Sequence, residues 1–210
     1  MTNTGMNMTD KKRSLILTVI LFLLAISSCQ KEFNRTAWAK AETVRGEYKL
    51  VEMRPDGFPA EMDLDGDDVC SGFFKEMLGF ERTQMAKGQI DIENTRDDAA
   101  PYRAGFNVDV PVQGIWQAGS DPIIQSSSGS IIPLNLSFYV NKDGSLRFEE
   151  FNGFGLGRDV EAQLAMKSIN RATITETDKG FDVMVFNYPA YDYITGKIYY
   201  GNVTLSLGKK

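Results

Sequence analysis

The chain has 210 residues, a formal net charge of −5 and no histidine. An acidic surface repels nucleic acid, so we exclude nucleic acid as a partner. The lack of histidine excludes Ser-His-Asp triads and His-ligated metal or haem sites, and the chain carries no cofactor motif.

The first 28 residues predict a secretory signal peptide. A basic patch at 11–13 precedes an apolar run at 15–26, and small residues then lead to Cys29. A membrane-spanning helix needs about twenty apolar residues, so this run of about a dozen predicts a removable segment. The stretch 26–29 resembles the lipobox of bacterial lipoproteins. The resemblance implies that Cys29 becomes the acylated first residue of the mature protein.

Acyl chains on Cys29 predict attachment to a membrane, and we expect an outer-membrane lipoprotein of the cell envelope. The segment 30–32 partly resembles the surface-export signal of Bacteroidetes lipoproteins. Because the match is partial, the inner and the outer leaflet of the outer membrane both remain alternatives for the position of the lipid. Residues 29–44 predict a tether, with a short helix as an option. Cys70 is then the remaining thiol, so no intrachain disulfide is expected, and we predict that it is a small buried residue.

Residues 45–210 predict one all-β domain. Segments rich in β-branched and aromatic residues, most with alternating apolar side chains, predict about eight strands. They cover 46–53, 88–94, 104–116, 131–140, 145–151, 172–177, 180–188 and 196–207. Turn signals at 141–144, 177–180 and 193–196 separate neighbouring segments. Close turns predict an antiparallel meander, which can fold as a sandwich or close into a barrel.

Three segments depart from this pattern. Phe73, Phe74, Met77 and Leu78 have helical spacing, which predicts one short helix near 71–80. The segment 158–170 fits both periods, and we predict a strand with a bulge. The low-complexity stretch 125–130, QSSSGS, predicts a mobile loop.

The ends of the domain carry a family resemblance. The lipobox, GEYKLVEM at 46–53, DLDGDDVCSGFFKEMLGFE at 63–81 and YDYITGKIYYGNVTLSL at 191–207 together resemble the lipocalin-like lipoproteins of Bacteroides and relatives. The resemblance implies a lipocalin-like barrel of about eight antiparallel strands on a lipid tether. A barrel of this size can hold one small ligand. The resemblance implies no particular ligand or reaction.

Asp63, Asp65 and Asp67 are candidate Ca²⁺ ligands, because alternate carboxylates supply hard oxygens. An EF-hand loop starting at Asp63 would need Gly and Glu where the chain has Asp68 and Phe74. We favour a solvated acidic turn that caps the following helix. We therefore predict neither a metal nor a cofactor.

Aromatic residues gather around the last hairpin. The candidate contact residues are Tyr188, Tyr191, Tyr193, Tyr199 and Tyr200. Tyrosine has an apolar face and a polar tip, which suits sugar rings or a protein partner. Tyr199 and Tyr200 are neighbours on one strand, so we predict that they face opposite sides. The alternative is that most of these rings fill the core.

We expect a lipid-anchored envelope protein that binds a small amphiphilic or apolar ligand inside the barrel. The alternative is a packed barrel whose Tyr-rich hairpin contacts a glycan or another envelope protein. An enzyme that uses carboxylates is the third hypothesis, with Glu149 or Glu150 paired with Asp109, Asp182 or Asp192. Glu149 and Glu150 face opposite sides of a strand and cannot be partners of each other, and we predict no enzyme.

Overall fold

The computed structural model describes residues 34–118, 121–156 and 161–210. The predicted signal peptide and Cys29 lie outside the described residues. Residues Thr36–Lys210 form one compact unit. Within the described ranges, every helix is too short or too polar to cross a membrane.

Helices and strands are numbered separately in chain order. The helices are α1 (Arg35–Val44), α2 (Phe73–Leu78) and α3 (Leu164–Ser168), and a 3-10 helix spans Glu81–Met85. The strands are β1 (Gly46–Asp56), β2 (Lys87–Asn94), β3 (Tyr102–Ala118), β4 (Asp121–Val140), β5 (Leu146–Phe148), β6 (Ala162–Gln163), β7 (Arg171–Glu176), β8 (Gly180–Asp192) and β9 (Lys197–Lys209).

The strands form an antiparallel sheet in the order β5-β4-β3-β2-β1-β9-β8-β7, and β6 pairs with β3 beside this path. Consecutive strands are mostly sheet neighbours, as in a meander. Phe151, which follows β5, forms a bridge with Ala172 of β7. This bridge brings the two ends of the sheet together, so the sheet is nearly closed into a barrel. The predicted all-β meander of about eight strands is confirmed.

Aromatic side chains fill the core of the barrel. Tyr48, Phe106, Phe138 and Phe181 come from four different strands and are at most 1% exposed. Their neighbouring ring centroids lie 5.3 to 5.9 Å apart. This separation is that of directly packed aromatic pairs. The centre of the described barrel is therefore a packed aromatic core.

The helices cover this core. The predicted helix near 71–80 is confirmed by α2, but it is not alone, since α1 and α3 are also helical. In α1, Ala37, Ala41 and Val44 are buried at helical spacing. The hydroxyl of Tyr48 donates a hydrogen bond to the carbonyl oxygen of Val44 at 2.6 Å. Residues 36–44 of the expected tether thus pack on the domain.

The prediction of a mobile loop at 125–130 is wrong, because this stretch is part of β4. Gly129 pairs with Gln113 of β3. A Cβ atom at position 129 would lie 2.3 Å from the Cβ of Phe80. A glycine suggests a loop, but Gly129 instead makes room for the Phe80 side chain to pack against β4.

Of the segment 158–170, predicted as a strand with a bulge, residues 158–160 lie outside the described residues, and the strand found within 161–170 is β6, Ala162–Gln163. The chain then turns into α3, which buries Leu164, Ala165 and Ser168. Their i, i+1, i+4 spacing is helical, whereas the alternation of Val160, Ala162 and Leu164 indicated a strand. Contact with the barrel selects the helical alternative.

Candidate functional site

The tyrosines of the last hairpin separate into core and surface residues. Tyr188 is 1% exposed, and its hydroxyl donates to the carbonyl oxygen of Pro111 at 2.7 Å. Burial raises the pKa of Tyr188 far above its usual range. Tyr199 packs against the hydrophobic core, whereas Tyr200 is 48% exposed. The predicted opposite orientation of Tyr199 and Tyr200 is confirmed.

Tyr191 and Tyr193 lie at the turn that joins β8 and β9. Their ring centroids are 4.9 Å apart in an edge-on arrangement, and both side chains are half-buried. The Tyr193 ring also covers Gly66, where an added Cβ atom would lie 3.5 Å from the ring. These two rings pack on each other and on a neighbouring loop, so Tyr200 is the most exposed tyrosine of the hairpin.

A β-bulge in β8 shapes the surface beside Tyr200. The register between β8 and β9 shifts between Val185 and Tyr188, which leaves Phe186 and Asn187 out of the β9 ladder. Asn187 has a φ of 60°, in the left-handed region that Asn tolerates better than most residues. Its Nδ2 donates to the carbonyl oxygen of Ser168 at 2.7 Å, which ties the bulge to α3. Bulges of this kind re-aim side chains and are common beside binding sites.

The bulge forms part of an open groove of about 810 Å³, which we name the bulge groove. Its walls come from the end of β1, the segment after β5, the start of β7, the bulge and the middle of β9. The lining residues are Asp56, Gly57, Asn152, Asn170, Arg171, Phe186, Asn187, Tyr200, Gly201 and Asn202. A second depression of about 370 Å³ shares Asn187 and Tyr200 and continues towards Lys167. The surface is rich in amides and has one exposed aromatic ring.

Arg171 supplies a positive charge to the bulge groove. Its guanidinium carbon lies 3.8 Å from the centroid of the Phe186 ring. Within the described ranges Arg171 forms no ion pair. The carboxylate of Asp56 accepts a hydrogen bond from Asn202 Nδ2 at 3.2 Å. Among the described residues, the groove thus contains a guanidinium that is stacked on the Phe186 ring and forms no ion pair.

A second cluster forms around the acidic loop, the name we give to residues 63–68. Side-chain oxygens of Asp63, Asp65, Asp67 and Glu76 all lie within 4.8 Å of one another. Carboxylate oxygens are the ligands that Ca²⁺ takes in proteins. The structure therefore brings the three predicted candidates together. The sequence did not predict Glu76 as a member of this cluster. Glu76 joins it because α2 folds back over the acidic loop, and the spacing of residues in the sequence does not show this.

Two of these carboxylates are buried. Asp63 is 0% exposed and Glu76 is 1% exposed. The Asp63 oxygens accept hydrogen bonds from the backbone N–H groups of Gly66 at 2.7 Å and Asp68 at 3.0 Å. Glu76 Oε2 accepts one from the backbone N–H of Leu64 at 3.2 Å. Backbone donors thus fold the acidic loop around its own carboxylates.

Asp65 completes the cluster, and its carboxylate lies in an unfavourable electrostatic environment. Its Oδ1 is buried and accepts no hydrogen bond from the described residues. Desolvation raises the pKa of Asp65, and the charges of Glu76 and Asp67 raise it further. This carboxylate is consequently destabilised in its charged form when no cation is bound.

Gln113 and Asp192 fix the acidic loop to the barrel. Gln113 is 6% exposed, and its Nε2 donates to the carbonyl oxygens of Leu64 at 2.6 Å and Tyr191 at 2.9 Å. Its Oε1 accepts the backbone N–H of Tyr191 at 2.6 Å. Asp192 Oδ1 accepts the backbone N–H of Asp63 at 3.1 Å. Sequence reasoning did not identify Gln113, although a glutamine in the otherwise apolar stretch 110–116 was a usable signal.

Two of the carboxylates considered for catalysis, Glu149 and Asp182, are engaged in surface ion pairs. Glu149 lies 3.1 Å from Arg103, and hydrogen bonds from Ser137 and Arg103 lower the pKa of Glu149. Asp182 lies 2.6 Å from Arg54. Glu149 and Asp182 are each paired with an arginine of their own.

The prediction that Cys70 is buried is wrong, because its side chain is exposed. Cys70 lies in the irregular segment between the acidic loop and α2, outside the sheet. Desolvation and the carboxylates of Glu61 and Glu76 raise the pKa of its thiol. The thiolate, which is the nucleophilic form, is disfavoured at this position.

Comparisons of the chain with protein-family models, curated proteins and solved structures find no match. The function therefore has to follow from the two sites that the fold assembles. Of these, the bulge groove is open to solvent and large enough for a ligand, whereas the acidic loop is closed by its own hydrogen bonds.

Proposed function

We propose that this protein is a binding protein of the cell envelope, held at the outer membrane by a lipid on Cys29, and that it binds a glycan in the bulge groove. The anchor is supported by the basic patch, apolar run and lipobox-like segment that precede Cys29. One observation carries the glycan assignment. Asparagine amides, an arginine and the exposed ring of Tyr200 line a single open groove.

The chemistry of the groove suits a sugar. Sugar hydroxyls both donate and accept hydrogen bonds, and each asparagine amide offers both functions. Sugar rings also have apolar faces, which pack on the face of an aromatic ring. Tyr200 is 48% exposed and lies beside Asn187 and Asn202 in the same groove. Polar and aromatic contacts are thus available to one ligand at the same time.

The packed core favours this surface site over the expected ligand inside the barrel. An interior site for an amphiphilic molecule requires a concave apolar cavity. Between Tyr48, Phe106, Phe138 and Phe181 the ring centroids lie 5.3 to 5.9 Å apart. A ligand at this point would have to displace packed rings. The interior-ligand hypothesis therefore has less support than the alternative of a packed barrel with an external contact surface.

Binding of the full-length protein in detergent to a panel of neutral and acidic oligosaccharides tests the proposal. We expect binding of at least one sugar, and Tyr200→Ala should weaken it about tenfold, which is about 1.4 kcal/mol. Tyr139→Ala is the control, because Tyr139 stacks with Arg147 at 4.5 Å and does not line the groove. The glycan assignment is overturned if no sugar binds, or if Tyr200→Ala binds as tightly as the unmodified protein.

The anchor is tested separately by fractionation and palmitate labelling in cells. Cys29→Ser should move the protein to the soluble fraction and remove the label, because the acylated atom is lost. Cys70→Ser is the matched control and should leave both results unchanged. A Cys29→Ser protein that still labels with palmitate and pellets with membranes would contradict the proposed anchor.

A further inference from the structure

We infer that the glycan of the bulge groove carries a carboxylate group, which Arg171 binds. This inference rests on the proposed function and names the class of its ligand. Arg171 is the first residue of β7 and pairs with Phe186 of β8 in the antiparallel register. Its guanidinium carbon lies 3.8 Å from the Phe186 ring centroid. The ring covers one face of the guanidinium and leaves the N–H groups at its edges available.

The charge balance around Arg171 differs from that of Arg54 and Arg103, two other arginines of the sheet. Arg54 lies 2.6 Å from the carboxylate of Asp182, and Arg103 lies 3.1 Å from that of Glu149. In the part of the chain that the structure describes, Arg171 has no such partner. The planar N–H fork of a guanidinium matches the two oxygens of a carboxylate. A ligand carboxylate would supply the missing partner.

The groups that line the groove beside Arg171 are mostly neutral. The whole chain has a formal net charge of −5, so its surface as a whole does not attract anions. Beside Arg171, the groove offers the neutral amides of Asn152, Asn170 and Asn187. Asp56, the carboxylate among the lining residues, is hydrogen-bonded to Asn202. Arg171 is therefore the cationic side chain among the lining residues, and it can bind an anionic group although the chain as a whole is acidic.

The inference is tested with three trisaccharide probes and the full-length protein. The probes are trigalacturonate, its fully methyl-esterified form and a sulfated neutral trisaccharide. We expect trigalacturonate to bind at least about tenfold more tightly than the ester, a ratio typical of one added charged hydrogen-bonded pair. Arg171→Gln should reduce this ratio to about one, because the variant has no positive charge to bind the ligand carboxylate. Arg171→Lys should retain only part of the preference, because it keeps the charge but loses the fork.

Arg147→Gln is the matched control. Arg147 is stacked over Tyr139 at 4.5 Å, as Arg171 is over Phe186, but it does not line the bulge groove. It should leave the preference for the acid intact. A melting temperature for each variant separates loss of binding from loss of folding, and Arg171→Lys decides the question if Arg171→Gln does not fold.

Three outcomes would overturn the inference. If the ester binds as tightly as the acid, Arg171 does not select a carboxylate, although the groove still binds glycans. If the sulfated probe binds as tightly as trigalacturonate and Arg171→Lys behaves like the unmodified protein, charge alone is recognised. If none of these probes nor any sugar of the wider panel binds, the proposed function fails together with the inference.

Discussion

Replacement of Gln113 by Met should destabilise the fold although the two side chains have similar shapes. Gln113 makes three hydrogen bonds, of 2.6, 2.9 and 2.6 Å, to the carbonyl oxygen of Leu64 and to the backbone carbonyl and N–H of Tyr191. Methionine fills the same space but neither donates nor accepts comparable hydrogen bonds. The variant therefore removes three polar contacts without leaving a cavity.

The magnitude follows from the burial of the groups that lose their partner. A buried polar group without a partner costs about 1 to 3 kcal/mol. Leu64 is 0% exposed, so its carbonyl oxygen bears the full cost, whereas water can reach the half-buried Tyr191. We expect the free energy of unfolding to fall by about 3 kcal/mol in total. For a chain of this size that corresponds to a melting temperature lower by roughly 6 to 12 °C.

Urea denaturation followed by circular dichroism measures the change. Gln89→Met is the control, because Gln89 also lies on a strand but makes only a 3.4 Å contact with Asp91. The control should change the free energy of unfolding by less than about 0.5 kcal/mol. A loss below about 1 kcal/mol for Gln113→Met, with an unchanged denaturant slope, would refute the assigned role of these hydrogen bonds.

Two further substitutions test the packing of β4 and the charge of the acidic loop. Gly129→Ala should cost about 1 to 3 kcal/mol, because its Cβ would lie 2.3 Å from that of Phe80. Gly105→Ala, with no atom within 4 Å of the new Cβ, should cost far less, and equal losses would contradict the packing. Without divalent cations, Asp65→Asn should raise the free energy of unfolding at pH 7, because the pKa of Asp65 is raised in the folded state. The charged form of Asp65 destabilises the folded state, so the higher stability of Asp65→Asn should disappear below the ordinary aspartate pKa of 3.8, where Asp65 is protonated in both states. A stability gain that does not depend on pH would contradict the electrostatic cause.

The positions of the strands were readable from the sequence because they depend on local patterns. On β3, Ala104, Phe106 and Val108 alternate with exposed or half-buried neighbours, and this period of two holds along most strands. Turn signals at 141–144 and 193–196 fall between observed strands. Gly144 and Gly196 adopt φ values of 83° and 65°, which glycine reaches without steric cost.

Part of the acidic loop was also predictable. Asp63, Asp65 and Asp67 alternate along the chain, so their proximity needed only a tight loop. Glu76 and Gln113 were not predictable as its neighbours, because α2 and β3 reach the loop only after the sheet has closed. Contacts between distant segments depend on the register and curvature of the whole sheet.

The sequence by itself determined most of the strand segments, the short helix near 71–80 and the acidic triplet, since each follows from periodicity or spacing within a few residues. Only the tertiary structure decided which tyrosine remained exposed and which residues line the bulge groove. Asn152, Arg171, Asn187 and Tyr200 come from separate segments that meet where the ends of the sheet approach each other. The bulge at Phe186 and Asn187 has no periodic pattern that marks it in the sequence, because a bulge is a change of register between two strands.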